Sequence, residues 1–139
     1  RLIDSIISPD GEVLSESTPI LASEIEGDGV QEYLAALRQG MSDVTKDEGT
    51  AGSFFKGEYA DVGEKMGAKT GTAEKTTIDL ENNAWMVAFA PYDDPQIAVC
   101  VYIPHGYSGS YCSITIREVL NYYLEHMEDI MPPSNALAY

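Results

Sequence analysis

The sequence is poor in positive charge. Its 139 residues include 8 Lys and Arg against 23 Asp and Glu, which gives a formal net charge of −15. A chain this acidic repels nucleic acid phosphates, so we exclude a nucleic acid partner, and contact with anionic lipid is disfavoured for the same reason. A ligand that carries a carboxylate would gain nothing from long-range attraction. Its capture must depend on local hydrogen-bond donors.

Cysteine and histidine are also scarce. The two cysteines, Cys100 and Cys112, are too few for a disulfide framework. We expect both to be free thiols, with a bridge between them as the alternative. The two histidines, His105 and His126, have no partner at metal-ligand spacing. The sequence therefore predicts no metal site and no cofactor.

Long apolar runs are absent from the sequence. A membrane helix needs ~20 such residues, whereas the longest runs, 84–90 and 97–103, have the length of strands. We therefore expect no membrane contact by this segment. The chain opens with Arg1 inside an apolar pattern and shows no signal peptide, which suggests a fragment or a processed product. Hydrophobic residues make up 44%, as in an ordinary globular core.

The order of periodic segments predicts an α+β fold. The Pro9-Asp10-Gly11 turn predicts a hairpin, and residues from Asp28 onward show helical spacing. Three strands follow, with short connections that make them antiparallel, and then a helix that ends near Pro132-Pro133. We expect helices to cover the sheet. The predicted first-helix stripe that packs on it consists of Val30, Leu34, Leu37, Met41 and Val44.

Two further burial expectations concern the strands, and one concerns the tail. Residues 97–103 are apolar on both alternating faces, which predicts a strand covered on both sides. Trp85, in the preceding strand, is expected in the core. Residues 130–139 are expected to form a loose tail.

One short motif carries chemistry: Lys69-Thr70-Gly71-Thr72. Lys-Thr-Gly is one of three motifs shared by penicillin-binding proteins and serine β-lactamases, although a three-residue match is weak by itself. The surrounding sequence strengthens the match, because the motif opens a predicted strand and the segments before and after it also resemble those around this motif in penicillin-binding proteins. Those segments are Glu48-Gly49-Thr50-Ala51, Asn83-Ala84-Trp85-Met86-Val87-Ala88-Phe89-Ala90-Pro91 and Gln96-Ile97-Ala98-Val99.

In combination, these segments resemble the region around the third motif of class B penicillin-binding proteins. The resemblance covers nearly the whole chain. It implies that residues 1–139 are the C-terminal half of a β-lactamase/transpeptidase-like fold, in which an antiparallel sheet is covered by helices. The missing N-terminal half would then be a partner of this segment.

The resemblance and strand geometry together assign roles within the motif. Alternate side chains share a face, so the hydroxyls of Thr70 and Thr72 can both donate to a substrate carboxylate. Lys69 lies on the opposite face and would supply positive potential near the nucleophile. Gly71 lets ligand or backbone approach closely. By resemblance, the backbone N–H of Thr72 supplies half of an oxyanion hole. We therefore expect Lys69 and Thr72 to be catalytic, and Thr70, Gly71 and Thr72 to bind substrate.

The family's other two motifs are missing from the sequence. No Ser-x-Asn occurs, and the single Ser-x-x-Lys, Ser53-Phe54-Phe55-Lys56, lies where the family has a structural segment. We interpret it as a coincidence. In the alternative interpretation, Lys56 would deprotonate Ser53 for attack on an acyl group.

The expected function is therefore that of a piece of a peptidoglycan D,D-transpeptidase. Such an enzyme cross-links D-Ala-D-Ala stem peptides through an acyl-serine, binds β-lactams, and faces the cell wall outside the bacterial membrane. We expect the isolated chain to be inactive. Two alternatives share the Lys-Thr-Gly motif: a non-catalytic β-lactam sensor or binding module, and a serine β-lactamase, which deacylates quickly.

Overall fold

The computed structural model describes residues 3–18, 20–74 and 81–130. The chain divides into two compact units, residues 1–31 and 32–139. The described residues form two antiparallel sheets and several helices, so the predicted α+β class is confirmed. Of the predicted tail, residues 131–139 lie outside the described residues. Residues 75–80, in the polar segment before the predicted strand 84–90, lie outside them as well.

The first unit contains the predicted hairpin. Strand β1 (Ser5–Ile7) pairs antiparallel with β2 (Val13–Glu16). Gly11 has φ of 90°, a conformation that glycine adopts without strain, and its N–H donates to the carbonyl oxygen of Ser8 at 3.0 Å. The turn therefore forms where the Pro-Asp-Gly sequence predicts it.

The second unit is built on a three-stranded antiparallel sheet with the order β3-β4-β5. Its elements are α1 (Val30–Asp43, which begins two residues before the unit), 3-10 turns at Gly52–Phe54 and Gly57–Tyr59, α2 (Ala60–Glu64), β3 (Gly67–Ala73), β4 (Asn83–Ala90), β5 (Ile97–Ile103), a 3-10 turn at Gly109–Cys112, α3 (Ser113–Glu125) and α4 (Met127–Ile130). The three strands and their antiparallel pairing agree with the prediction.

The core lies between one face of this sheet and α3. Met86 on β4 and Ile116 and Leu120 on α3 are almost completely buried in one apolar cluster. Burying one such side chain stabilises a fold by about 1.5–3 kcal/mol. Val62 of α2 joins the cluster, so α2 and α3 cover the same face. We call this the helix side of the sheet and the opposite face the open side.

The predicted burial of the α1 stripe is wrong for its middle residues. Leu34 and Leu37 are exposed. In the second half of the helix, the guanidinium of Arg38 donates to the carbonyl oxygen of Tyr92, after β4. Val44, just after the helix, packs against the core. Helical periodicity predicted the helix correctly. It could not show how many residues of the apolar stripe would be buried by the described part of the chain.

The prediction that residues 97–103 are covered on both faces is also wrong. Ala98, Cys100 and Tyr102 lie on the open side of β5 and are exposed. The alternate residues, Val99 and Val101 among them, pack against the core. Helices α2 and α3 lie on the helix side. On the open side, α1 reaches the sheet through Arg38, whose guanidinium carbon lies 5.8 Å from the centre of the Phe89 ring, and other apolar residues of that face stay in contact with solvent.

Candidate functional site

The Lys-Thr-Gly motif lies in the middle of β3, at the edge of the sheet. Among the described strands, β3 has β4 as its one neighbour. The register pairs Lys69 with Val87, Thr70 with Met86 and Gly71 with Trp85. Because Met86 is buried on the helix side, Thr70 and Thr72 belong to that side, and Lys69 and Gly71 belong to the open side. The predicted separation of Lys69 from the two threonines follows from this register.

Lys69 is exposed on the open side of the edge strand. Its Nζ donates to the carbonyl oxygen of Thr70 at 2.6 Å. The ammonium group therefore lies against the backbone of its own strand, and its positive charge is placed at the edge of the sheet.

The hydroxyl groups of the two threonines each have one described partner. Thr70 Oγ1 lies 3.2 Å from Thr50 Oγ1, and either oxygen can donate. Thr72 Oγ1 accepts from the backbone N–H of Gly109 at 3.0 Å. Since a backbone N–H can only donate, the Thr72 hydroxyl keeps its own proton for another acceptor. The sequence prediction did not include Thr50 or Gly109.

Gly71 is enclosed on both faces of the strand. A Cβ at this position would lie 2.3 Å from both Cδ1 and Nε1 of Trp85. From the other direction, a Cβ on Gly109 would lie 2.3 Å from the carbonyl oxygen of Gly71. Only glycine fits at both positions without movement of the neighbouring atoms, so the middle of the motif is held between β4 and the start of the 3-10 turn before α3.

The core position expected for Trp85 is wrong. Trp85 is 46% exposed on the open side, and its ring centroid lies 5.9 Å from that of Tyr102. The indole occupies the space over Gly71, which has no side chain. An aromatic residue opposite a strand glycine is a recurrent arrangement that shields the glycine backbone. The pairing of Gly71 with Trp85 was the signal that sequence reasoning missed.

Ser53 and Lys56 do not form the pair that a nucleophile would need. Ser53 is exposed in the 3-10 turn Gly52–Phe54. Lys56 Nζ instead lies 3.2 Å from Asp47 Oδ1. This ion pair supports the interpretation of Ser53-Phe54-Phe55-Lys56 as a coincidence.

The segment before β3 is fixed to α3 by a polar cluster. Arg117 Nη1 donates to the carbonyl oxygen of Phe54 at 3.1 Å, and its guanidinium carbon lies 4.1 Å from the centre of the Tyr59 ring. The hydroxyl of Tyr59 donates to Glu118 Oε1 at 2.5 Å, and this hydrogen bond raises the pKa of Tyr59. These contacts hold Phe54 and Tyr59, in the segment between Thr50 and β3, against α3.

Two depressions lie near the motif. A shallow one of about 200 Å³ on the open side is lined by Lys69, Gly71, Trp85, Val87 and Cys100, among others. A larger open cleft of about 930 Å³ lies beside the end of α1 and includes Thr50 in its lining. In the described ranges, no group of three or more His, Cys, Asp or Glu could hold a metal ion. None of the described helices is long and apolar enough to cross a membrane.

Comparison with known proteins identifies the family. Residues 30–121 match the family model of the penicillin-binding protein transpeptidase domain. The chain belongs to this family. The predicted resemblance to class B penicillin-binding proteins is confirmed, because the relatives include proteins of that type.

Two curated relatives illustrate the similarity. The peptidoglycan D,D-transpeptidase PbpA of Mycolicibacterium smegmatis is 33% identical over 108 residues, which cover 76% of this chain and 20% of that protein. The peptidoglycan D,D-transpeptidase MrdA of Escherichia coli K12 is 30% identical over 110 residues, which cover 69% of this chain and 17% of that protein. The chain thus spans about a fifth of the length of these relatives, a part of their transpeptidase domain.

Solved structures show the same fold. Pseudomonas aeruginosa PBP2 in complex with WCK 5153 superposes with a TM-score of 0.60 at 26% identity, over 89% of this chain and 27% of that one. Helicobacter pylori PBP2, in its complex with MreC, gives a TM-score of 0.59 at 30% identity, over 72% of this chain and 18% of that one.

Proposed function

We propose that this segment is the substrate-binding edge of a D,D-transpeptidase that cross-links peptidoglycan stem peptides and is acylated by β-lactams. The observation that carries the proposal is the Lys-Thr-Gly motif on an edge strand, with the hydroxyls of Thr70 and Thr72 on one side of that strand. Family membership and relatives named as peptidoglycan D,D-transpeptidases support the assignment.

The geometry suits an extended peptide. A stem peptide that lies along β3 can pair with the strand's backbone, in the manner of an added strand. Its terminal carboxylate would accept hydrogen bonds from the Thr70 and Thr72 hydroxyls, and Lys69 would add positive charge beside them. In a chain with a net charge of −15, such local donors must offset the general repulsion of an anionic ligand.

The acyl-accepting serine would come from outside these 139 residues. The segment contributes Lys69, Thr70 and Gly71, together with the Thr72 N–H as half of the oxyanion hole. The penultimate D-Ala carbonyl would acylate that serine with loss of the terminal D-Ala, and an acceptor amine would then attack the acyl-enzyme. The activity would lie on the extracytoplasmic face of the bacterial membrane.

The alternatives differ in the fate of the acyl-enzyme. A β-lactam sensor or binding module would form no cross-links, and a serine β-lactamase would deacylate quickly. The names of the relatives favour the transpeptidase. Slow deacylation combined with cross-linking of a D-Ala-D-Ala donor to an amine would establish it.

The first test uses the 139-residue chain alone. After incubation with benzylpenicillin, its intact mass under denaturing conditions should be unchanged, because Lys56 pairs with Asp47 rather than with Ser53. The Ser53→Ala variant is the matched control. A stoichiometric adduct that disappears in this variant, or turnover of a D-Ala-D-Ala peptide by the chain, would overturn the proposal.

The second test uses the complete transpeptidase, meaning this sequence together with the residues that carry the acyl-accepting serine. It can be made as the native polypeptide, or by grafting residues 30–121 into the matching segment of the E. coli relative. Hydrogen bonds to charged groups contribute about 1.5–3 kcal/mol, so Thr70→Val should lower the rate of acylation by benzylpenicillin about 10- to 100-fold. Unchanged acylation in both Thr70→Val and Lys69→Ala would refute the assigned roles.

A further inference from the structure

The hydroxyl of Thr50 lies 3.2 Å from the hydroxyl of Thr70, although the two residues are 20 positions apart. Thr50 belongs to the turn between α1 and the 3-10 turn Gly52–Phe54, outside the Lys-Thr-Gly strand. It is the residue of that turn whose side chain reaches the motif in a described hydrogen bond.

The backbone around Thr50 is tightly fixed. The N–H of Gly49 donates to the carbonyl oxygen of Lys46 at 2.8 Å, and the N–H of Ala51 donates to that of Val44 at 2.9 Å. A Cβ on Gly49 would lie 2.1 Å from the carbonyl oxygen of Asp43, and Ala51 is completely buried. The turn is therefore packed against the end of α1 on both sides of Thr50, which fixes the backbone from which its side chain reaches Thr70.

A hydroxyl group has a single proton, and this limits what Thr70 can do. If Thr70 donates to Thr50, it has no proton for a ligand. If Thr50 donates instead, Thr70 Oγ1 accepts and its own proton is directed elsewhere. Thr72 is already in the second situation, because the N–H of Gly109 donates to its Oγ1.

We propose that Thr50 is a positioning residue: its hydroxyl donates to Thr70 Oγ1 and so directs the Thr70 proton toward the terminal carboxylate of the substrate or β-lactam. This inference rests on the proposed function. Each threonine hydroxyl would then accept one hydrogen bond, Thr70 from the Thr50 hydroxyl and Thr72 from the Gly109 N–H. Both threonine protons would be available to the same carboxylate. Such a chain of hydrogen bonds also strengthens the outer bond by polarisation.

The test compares two ligands in the complete transpeptidase: benzylpenicillin and its methyl ester, which lacks the carboxylate charge. A neutral hydrogen bond contributes about 0.5–1.5 kcal/mol. Thr50→Val should therefore lower acylation by benzylpenicillin about three- to tenfold and leave the rate with the ester unchanged. Thr50→Ser keeps the hydroxyl and should restore the wild-type ratio of the two rates. Ser53→Ala, which removes an exposed hydroxyl nearby, should change neither rate.

Several outcomes would overturn the inference. If Thr50 had only a structural role, Thr50→Val would lower acylation equally with both ligands. An unchanged ratio of the benzylpenicillin rate to the ester rate in Thr50→Val would therefore refute the positioning role. Thr50→Ala provides a second variant if the valine side chain disturbs the turn, and the same ratio decides. In the Thr70→Val background, Thr50→Val should have no further effect, and additive losses would contradict a shared path.

The same experiment separates this inference from the proposed function. If Thr70→Val reduces acylation while Thr50→Val and Thr50→Ala behave as wild type, Thr50 has no positioning role and the transpeptidase assignment stands. If Thr70→Val and Lys69→Ala also have no effect, the assignment of the motif itself is wrong.

Discussion

Replacing Gly109 with alanine should displace the middle of the Lys-Thr-Gly strand. A Cβ at this position would lie 2.3 Å from the carbonyl oxygen of Gly71 and 2.8 Å from its N and C atoms. Cβ atoms in proteins essentially never approach other heavy atoms more closely than 3.0 Å. All three atoms are backbone, so no side-chain rotation can relieve the overlap. Either β3 or the 3-10 turn Gly109–Cys112 must move, and the hydrogen bond from Gly109 N–H to Thr72 Oγ1 changes with it.

The size of the effect depends on this overlap. Overpacking of a filled site costs about 1–3 kcal/mol of folding stability. A displacement of catalytic groups by around 1 Å can cost as much as about 100-fold in rate. We therefore expect Gly109→Ala to lower benzylpenicillin acylation of the complete transpeptidase about 10- to 100-fold and to lower its Tm by several degrees. Acylation is measured by intact mass against time and Tm by circular dichroism.

Gly40→Ala is the matched control. Gly40 lies in α1, where an added Cβ meets nothing within 4 Å. Alanine favours an exposed helix by roughly 0.5–1 kcal/mol over glycine, so this variant should be slightly more stable and fully active. Wild-type acylation by a stable Gly109→Ala protein would refute the reasoning, because it would show that the strand tolerates movement at Gly71.

Three further predictions concern stability and reactivity of the 139-residue chain. Leu120→Ala should lower the free energy of unfolding by about 2–5 kcal/mol in urea titrations, because Leu120 is completely buried in the core. The hydrogen bond with Glu118 raises the pKa of Tyr59, so its stabilisation is present below the ordinary tyrosine pKa of 10.0 and is lost as the pH rises through the raised value. Urea titrations between about pH 8 and 11.5 should thus show a steeper loss in wild type than in Tyr59→Phe, and parallel curves would contradict this. Cys100 is exposed and Cys112 is buried, and burial raises the pKa of the Cys112 thiol. A thiol reagent should modify Cys100 in the native chain and Cys112 only after unfolding, and rapid native reaction of both would contradict the fold.

Local sequence patterns were sufficient to predict the sheet and the position of the motif. The short continuous apolar run of residues 97–103 identified β5, and Pro-Asp-Gly identified the first hairpin. Placing Lys69 opposite Thr70 required only the two-residue period of a strand. These features depend on neighbours in the sequence, which is why they could be predicted.

Contacts between distant segments could not be predicted in the same way. The approach of Thr50 to Thr70 spans 20 residues, and that of Gly109 to Thr72 spans 37. Both depend on how the turn after α1 and the start of α3 pack around β3. The exposure of Trp85 depends on which face of the sheet α2 and α3 cover, and the apolar pattern of β4 alone does not show this.

The enclosure of Gly71 constrains how this part of the chain can change in length. Deleting one residue from β3 would exchange its two faces and place the threonine hydroxyls beside the Trp85 indole. Deleting two would restore the faces but would put a side chain where the indole leaves room only for hydrogen. Insertions and deletions among related sequences should therefore accumulate between Ala73 and Asn83, while the spacing from Lys69 to Thr72, and the residue opposite Gly71, stay constant.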